Sequence, residues 1–86
     1  MQKLRPDMDI GQNIQILRRK KKLTQDEVIA KMHLMGLEIS KSTYAKLETN
    51  RMNIRVSELV ALKIILDAAF EDFFSGLEDD PRFEPK

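Results

Sequence analysis

A run of hydroxyl and ammonium side chains lies on one side of a predicted helix and is the clearest chemical feature of the sequence. The residues of this run are Lys41, Ser42, Thr43, Lys46 and Thr49. Serine and threonine can bond phosphate oxygens or base edges, and lysine can donate to guanine O6 and N7, so the run suits a DNA duplex. An ordinary solvated helix surface has the same composition, and the run alone does not separate the two interpretations.

The helix that presents this run is predicted over about 40–49. Ser40 has a hydroxyl suited to cap its first turn. Tyr44 and Leu47 are three residues apart, which is the spacing of one helical face, and are expected to face inward. The hydroxyl and ammonium side chains are then left outside, where a partner can reach them.

An earlier helix must hold this one in place. Thr24 and Glu27 have the spacing of a capping box, in which each side chain bonds the backbone amide of the other residue. Apolar residues follow at helical spacing, and these are Val28, Ile29, Met32 and Met35. Gly36 is a suitable end, because glycine adopts without strain the left-handed conformation that follows many helices. The stretch from Leu23 to Asn50 is therefore predicted to be two helices joined by a turn.

Further helices are predicted on either side of this pair. The first begins near Asp7 or Asp9 and buries Ile10, Ile14 and Leu17. The fourth and fifth run over about 56–66 and 69–75, with an interruption at residue 67. Core and dimer surface are predicted for the aromatic residues of the fifth helix, which are Phe70, Phe73 and Phe74.

Several short motifs follow one another in a fixed order along residues 10–74. They are Ile10-Gly11 with Ile14, Leu17 and Arg18; Leu23-Thr24-Gln25; Ser40-Lys41-Ser42-Thr43-Tyr44; Lys46-Leu47-Glu48; and Asn50-Arg51, followed by a helical tail from Leu59 to Phe74. In this order the sequence resembles the helix-turn-helix repressors of the phage repressor and Cro type, the XRE family. The resemblance implies an all-α fold, a compact five-helix lambda-repressor-like DNA-binding domain.

The resemblance also implies which residues contact DNA. They are Gln25, Ser40, Lys41, Ser42, Thr43, Lys46, Asn50 and Arg51. Lys41 and Ser42 would face base edges, and Lys46 would contact a base or a phosphate one turn further on. Gln25 at the start of the second helix and Arg51 after the third would bond backbone phosphates.

A salt bridge between Arg18 and Glu48 is implied as well, tying the first helix to the recognition helix. Desolvation offsets much of the attraction in a buried pair, so its expected role is to fix orientation rather than to add net stability. Two unrelated surface charges are the alternative interpretation.

The sequence departs from the family pattern at several positions. The segment from Gln25 to Ser40 is longer than the compact family turn, which predicts a lengthened helix 2 or turn and leaves the placement of the recognition helix open. Ile29 stands where the family has a small residue. Asn50 stands where the family favours glycine, although asparagine tolerates left-handed geometry well.

Length and charge suggest how the chain is organised. Its 86 residues are enough for one domain with a modest core. We predict a flexible arm at 1–8, the helix-turn-helix domain at 9–76 and an acidic, disordered tail at 77–86. Residues 1–51 hold 11 Lys and Arg against 6 Asp and Glu, a net charge of +5, whereas residues 52–86 hold 4 against 8, a net charge of −4. This asymmetry fits a molecule that presents one basic face to nucleic acid.

The function predicted from these features is sequence-specific binding of double-stranded DNA by a transcriptional regulator, a repressor that acts as a homodimer. The alternative is a protein-interaction module, or an antitoxin component that binds a partner protein through the same fold. An enzyme is not expected, because the sequence has one histidine, no cysteine and no glycine-rich phosphate loop. No cofactor, metal or membrane partner is expected either, and a cytoplasmic location follows by default.

Overall fold

Helices hold more than half of the residues that the structure describes, and four of these helices are α-helices. A computed structural model describes residues 3–4 and 7–84. The α-helices are α1 (Gly11–Lys20), α2 (Gln25–Leu34), α3 (Lys41–Glu48) and α4 (Val56–Ile65). Two short strands, β1 (Lys3–Leu4) and β2 (Ile54–Arg55), pair antiparallel, with Lys3 opposite Arg55 and Leu4 opposite Ile54. The predicted all-α class is confirmed at this coarse level of a mostly helical chain.

The predicted fifth helix, over 69–75, is present as a 3₁₀-helix rather than an α-helix. The structure has a 3₁₀-helix, η1 (Phe70–Phe74), and two shorter ones, η2 (Leu77–Asp79) and η3 (Pro81–Phe83). The carboxylate of Asp72 accepts from the amide of Ala69 at 3.0 Å, and this local bond stabilises the tight turn. A short 3₁₀ turn is enough to bury Phe73 fully, while Phe70 and Phe74 stay partly exposed.

The two ends of the chain are described in part. Residues 1, 2, 5 and 6 of the predicted arm and residues 85 and 86 of the predicted tail lie outside the described residues. Where the sequence predicts an arm, Lys3–Leu4 pairs with Ile54–Arg55. Where it predicts a disordered tail, η2 and η3 form, and Leu77 packs against the core.

The starts of the helices follow local hydrogen bonds. At α2 the predicted capping box is confirmed: the Glu27 amide donates to Thr24 Oγ1 at 3.1 Å, and the Thr24 amide donates to Glu27 Oε1 at 3.0 Å. The first helix begins later than expected, at Gly11, although Asp9 still accepts from the Gln12 amide at 3.1 Å. Helix α4 begins at Val56 as predicted.

All four α-helices end alike in the described part of the chain. The residue two places after each end has a positive φ, and these residues are Lys22 (60°), Gly36 (82°), Asn50 (59°) and Asp67 (50°). The next amide then bonds a carbonyl five residues back, as Leu37 does to Met32 at 3.0 Å. This Schellman arrangement satisfies carbonyls that the helix leaves free. The predicted conformation of Gly36 and Asn50 is confirmed.

One hydrophobic core is shared by the helices and η1. Its largest fully buried side chains are Tyr44, Phe73, Ile14, Met32, Ile54, Leu62 and Val28. Ile29, which stands where the resemblance implies a small residue, is also buried in this core. The helical spacing predicts Met35 on the inner face of α2, but this residue lies beyond the end of that helix and is 44% exposed. The sequence predicts a lengthened helix 2 or turn between Gln25 and Ser40. Because α2 has 10 residues, as do α1 and α4, the turn at 35–40 holds that length.

Candidate nucleic-acid interface

The first turn of α3 presents a polar edge. Ser40 caps the helix, since its Oγ accepts from the Thr43 amide at 3.1 Å and lies 3.0 Å from Thr43 Oγ1, to which it donates. Ser40 and Thr43 therefore use their hydroxyls partly on each other. Ser42 is exposed, and its side chain makes no hydrogen bond within the described part of the chain. Of the predicted hydroxyl contacts, Ser42 and the O–H donor of Thr43 thus remain for a partner.

An exposed ion pair lies beside this edge. Lys41 Nζ is 3.1 Å from Asp26 Oδ1 and 3.3 Å from Oδ2, and the two side chains are 66% and 70% exposed. Asp26 belongs to the first turn of α2, where a carboxylate is favoured by the helix dipole. The sequence does not predict the pairing of Asp26 with Lys41. The helix dipole alone is a sufficient reason for an acid in this first turn.

Two more cations are exposed toward the end of α3. Lys46 lies in its last turn and makes no salt bridge with any residue that the structure describes. Arg51 lies just beyond, where its Nε donates to Thr49 Oγ1 at 3.0 Å and its backbone amide bonds the Lys46 carbonyl at 2.8 Å. Together with Lys41 these residues give α3 and its ends an exposed basic edge.

Arg51 breaks a pattern that the other helix ends follow. Arg51 is the third residue after the end of α3. The third residue after α1, α2 and α4 is Leu23, Leu37 or Ala68, and all three pack against the core. An apolar contact at this position commonly accompanies a Schellman end. At α3 the position holds an exposed arginine instead. Packing therefore does not explain the residue chosen here.

Asn50 has a different place from the other predicted DNA-binding residues. Its Oδ1 accepts from the Ile10 amide at 3.3 Å, and its Nδ2 donates to the Met8 carbonyl at 3.1 Å. The side chain thus joins the end of α3 to the chain just before α1. A glycine with the same backbone conformation could not form these two side-chain hydrogen bonds.

Gln25 is also bonded within the fold. Its Nε2 donates to Glu48 Oε1 at 3.0 Å, and the side chain is half-buried. An amide nitrogen carries two protons, so one N–H remains after this bond. That remaining N–H could reach a phosphate oxygen at the start of α2.

Beneath the polar edge lies the ion pair that the resemblance implies. Arg18 Nε donates to Glu48 Oε2 at 2.7 Å, and another guanidinium nitrogen donates to Oε1 at 3.1 Å. Both residues are buried, and a third guanidinium nitrogen donates to the Leu23 carbonyl at 2.9 Å. A fork of this kind fixes both distance and direction between α1 and α3.

The electrostatics of this buried cluster are balanced by hydrogen bonds. Burial alone would raise the pKa of Glu48, but hydrogen bonds to its carboxylate, above all from Arg18, leave that pKa below its ordinary value. The hydrogen bond to Glu48 in turn raises the pKa of Arg18. Both groups therefore stay charged, and the carboxylate can hold Arg18 and Gln25 together.

Tyr44 completes the cluster from within α3. Its side chain is fully buried, and its hydroxyl has no hydrogen-bond partner among the described residues. Burial raises its pKa, and the neighbouring Glu48 carboxylate adds to this effect. The phenol therefore stays neutral, and Tyr44 acts as a core residue.

A close backbone approach explains Gly11. A Cβ atom built on this residue would lie 2.7 Å from the Glu48 carbonyl oxygen and would also overlap that of Leu47. Only glycine lets α1 approach the end of α3 so closely. Gly11, Asn50 and the Arg18–Glu48 pair thus all fix α3 against α1.

The turn between α2 and α3 has an internal bond and an exposed apolar tip. His33 Nε2 lies 2.9 Å from the Ile39 carbonyl oxygen and 3.4 Å from the Ile39 amide nitrogen. This bond closes the loop and leads the chain to Ser40. Leu34 at the end of α2 is 88% exposed. The histidine contact is not predicted from the sequence, because it depends on how the loop between residues 33 and 39 folds back.

Comparison with known proteins adds no assignment. No protein-family model matches the chain, and no curated protein or solved structure shows significant similarity to it. Within residues 3–4 and 7–84, no group of His, Asp and Glu side chains is arranged to hold a metal ion. No helix in the same residues is long and apolar enough to cross a membrane.

Proposed function

We propose that this protein is a sequence-specific DNA-binding regulator of the phage repressor and Cro type, with a lambda-repressor-like helix-turn-helix fold. In this proposal α3 is the recognition helix and lies in the major groove. The protein acts as a homodimer on a two-fold site and represses transcription by occupying it. Half-sites would be about 34–36 Å apart along the duplex, one helical turn.

The observation that carries the proposal is the contrast across α3. Lys41, Ser42 and Lys46 are exposed on one side, while Tyr44, Leu47 and Glu48 are buried on the other. Exposed lysine and serine at a helix N-terminus can approach base edges closely. Arg51, at a helix end where the other helices have packed apolar residues, adds a cation suited to a phosphate.

The test is selection of bound duplexes from a random DNA pool at near-physiological salt, followed by sequencing. We expect an enriched inverted repeat, because a two-fold dimer reads the same half-site twice. The Lys41→Ala/Lys46→Ala variant should lose this enrichment while keeping its fold. Lys31→Ala/Lys63→Ala removes the same charge from α2 and α4 and serves as the control. Absence of enrichment with folded wild-type protein would refute the proposal.

A second candidate function rests on the exposed tip of the turn. Leu34 at the end of α2 and Met35 just after it are exposed apolar residues, and exposed apolar residues that lie together favour a protein partner. The same fold would then serve as an interaction module or as an antitoxin that binds both DNA and a partner protein. Crosslinking from a photoreactive residue at position 34 in cells would identify such a partner. DNA selection unaffected by Leu34→Ser would separate this surface from the reading surface.

A further inference from the structure

The Lys41–Asp26 pair is an unusual feature of a surface that should approach a polyanion. Asp26 places a carboxylate 3.1 Å from the ammonium of Lys41, and both side chains are largely exposed. Near phosphates this negative charge opposes binding. Asp26 thus joins the first turn of α2 to the first turn of α3. An interface that bound DNA by charge alone would not have an acid at this position.

The chemistry of a duplex limits what this carboxylate could bond. An ionised carboxylate only accepts hydrogen bonds. In the major groove the donors are the amino groups of cytosine N4 and adenine N6, whereas guanine O6 and N7 and thymine O4 are acceptors. Phosphate oxygens are acceptors too. Asp26 can therefore gain a hydrogen bond from DNA only at an amino group of a base.

The ammonium of Lys41 has the complementary requirement. It carries three N–H donors, and its contact with Asp26 leaves others free. Lysine pairs best with guanine, which offers both O6 and N7. In a C·G pair the guanine O6 acceptor and the cytosine N4 donor are neighbours across the groove. An adjacent donor and acceptor on the protein match this edge.

We propose that Lys41 and Asp26 together read one C·G base pair in each half-site, with Lys41 on guanine and Asp26 on cytosine N4. This inference rests on the proposed function and deepens it by naming a specificity-determining residue on α2. Asp26 lowers affinity for DNA in general and raises discrimination at one position. Its two effects therefore have opposite signs.

The experiment compares base preferences of wild type, Asp26→Ala, Asp26→Asn and Lys41→Ala by selection from a random pool. Asp26→Ala should reduce the preference for cytosine at one position by roughly fivefold to tenfold, the size expected for one base contact. Its affinity for an unrelated duplex should rise, because a negative charge has been removed. Asp26→Asn should shift the preference toward adenine, which asparagine bonds through N6 and N7. Lys41→Ala should alter the same base pair.

Asp67→Asn is the matched control. It removes the same charge from an exposed pair, Lys21–Asp67 at 3.7 Å, which lies on neither α2 nor α3. Asparagine also tolerates the positive φ of this residue. Thermal melting of every variant checks the fold. We expect the control to keep the base preferences of the wild type.

Several results would overturn the inference while leaving the proposed function intact. These are unchanged base preferences in Asp26→Ala, an equal loss at all positions, or effects of Asp26 and Lys41 at different base pairs. An equal loss would mean that Asp26 only positions α2. A wild-type protein that selects no sequence at all would instead refute the proposed function, and the inference with it.

Discussion

The two sides of α3 differ in burial: the inner side is packed into the fold, and the outer side is exposed and free to bind a partner. On the inner side the Glu48 side chain is 1% exposed and bonded to Arg18 and Gln25, so its geometry is fixed by two partners. On the outer side Lys46 is exposed and has no salt-bridge partner among the described residues. Fixed groups determine where the helix lies, and free groups remain able to bind. Stability and binding should therefore depend on different residues of the same helix.

The largest effect is expected when the inner ion pair is broken. Arg18→Ala would leave the buried Glu48 carboxylate without its main partner, and such a loss typically costs about 3–5 kcal/mol of the free energy of unfolding. Urea unfolding followed by circular dichroism measures this difference. A variant as stable as wild type would show that the pair does not hold the inner side.

A double variant sharpens this result. Arg18→Met with Glu48→Leu removes both charges, and buried pairs replaced by apolar residues are often as stable as the original. Much of the stability should then return. If the pair fixes orientation, selection of DNA sequences should stay impaired although the protein is folded. Recovery of both properties would mean that packing alone places α3.

The next effect comes from the apolar part of the inner side. Leu47 is buried in the core, so Leu47→Ala should cost about 2–5 kcal/mol of the free energy of unfolding through lost burial and a cavity. The measurement is again urea unfolding. A melting temperature equal to that of wild type would refute the core assignment of Leu47.

The neighbouring residue should behave in the opposite way. Lys46→Ala should change the free energy of unfolding by less than about 0.5 kcal/mol, since the side chain is exposed. Specific DNA binding should weaken by about 1–3 kcal/mol at one base position if Lys46 reads a base. A uniform loss on all sequences would make it a phosphate contact. Lys31→Ala, which removes the same charge from the last turn of α2, is the control.

Local rules predicted the parts of the fold that depend on residues close in sequence. Thr24 and Glu27 form their capping box, and Gly36 and Asn50 take positive φ, because the partners lie within one helical turn. Arg18 and Glu48 are 30 residues apart, and only the resemblance pointed to their pairing. The bonds of His33 to Ile39 and of Asn50 to Met8 follow no sequence rule.

The candidate interface was predictable in composition but not in detail. The exposed positions of Lys41, Ser42 and Lys46 follow from the helical period that buries Tyr44 and Leu47. The period could not reveal that Lys41 contacts Asp26, because that contact depends on how α3 crosses α2. The helical period also does not show that α2 ends at Leu34 and that a turn at 35–40 follows it. Distances between helices are set by packing, which a pattern along one chain does not contain.

The smallest effect on stability is expected at the end of α3. Arg51 is exposed there, whereas the residues at the same place after the other α-helices pack against the core. Arg51→Ala removes an exposed side chain but keeps the backbone bond of residue 51 to the Lys46 carbonyl, so the free energy of unfolding should change by less than about 0.5 kcal/mol. Arg82→Ala removes the same charge from η3 and is the control.

DNA binding by Arg51→Ala should weaken by a similar factor on every sequence, because a phosphate contact carries no base information. The slope of log affinity against log salt should fall in magnitude by about 1, the value for one lost phosphate contact. Titrations over a range of salt concentrations measure this slope. A loss confined to one base position would make Arg51 a base contact. An unchanged slope and affinity would leave the exposed arginine, among helix ends that otherwise pack apolar residues, without a role in DNA binding.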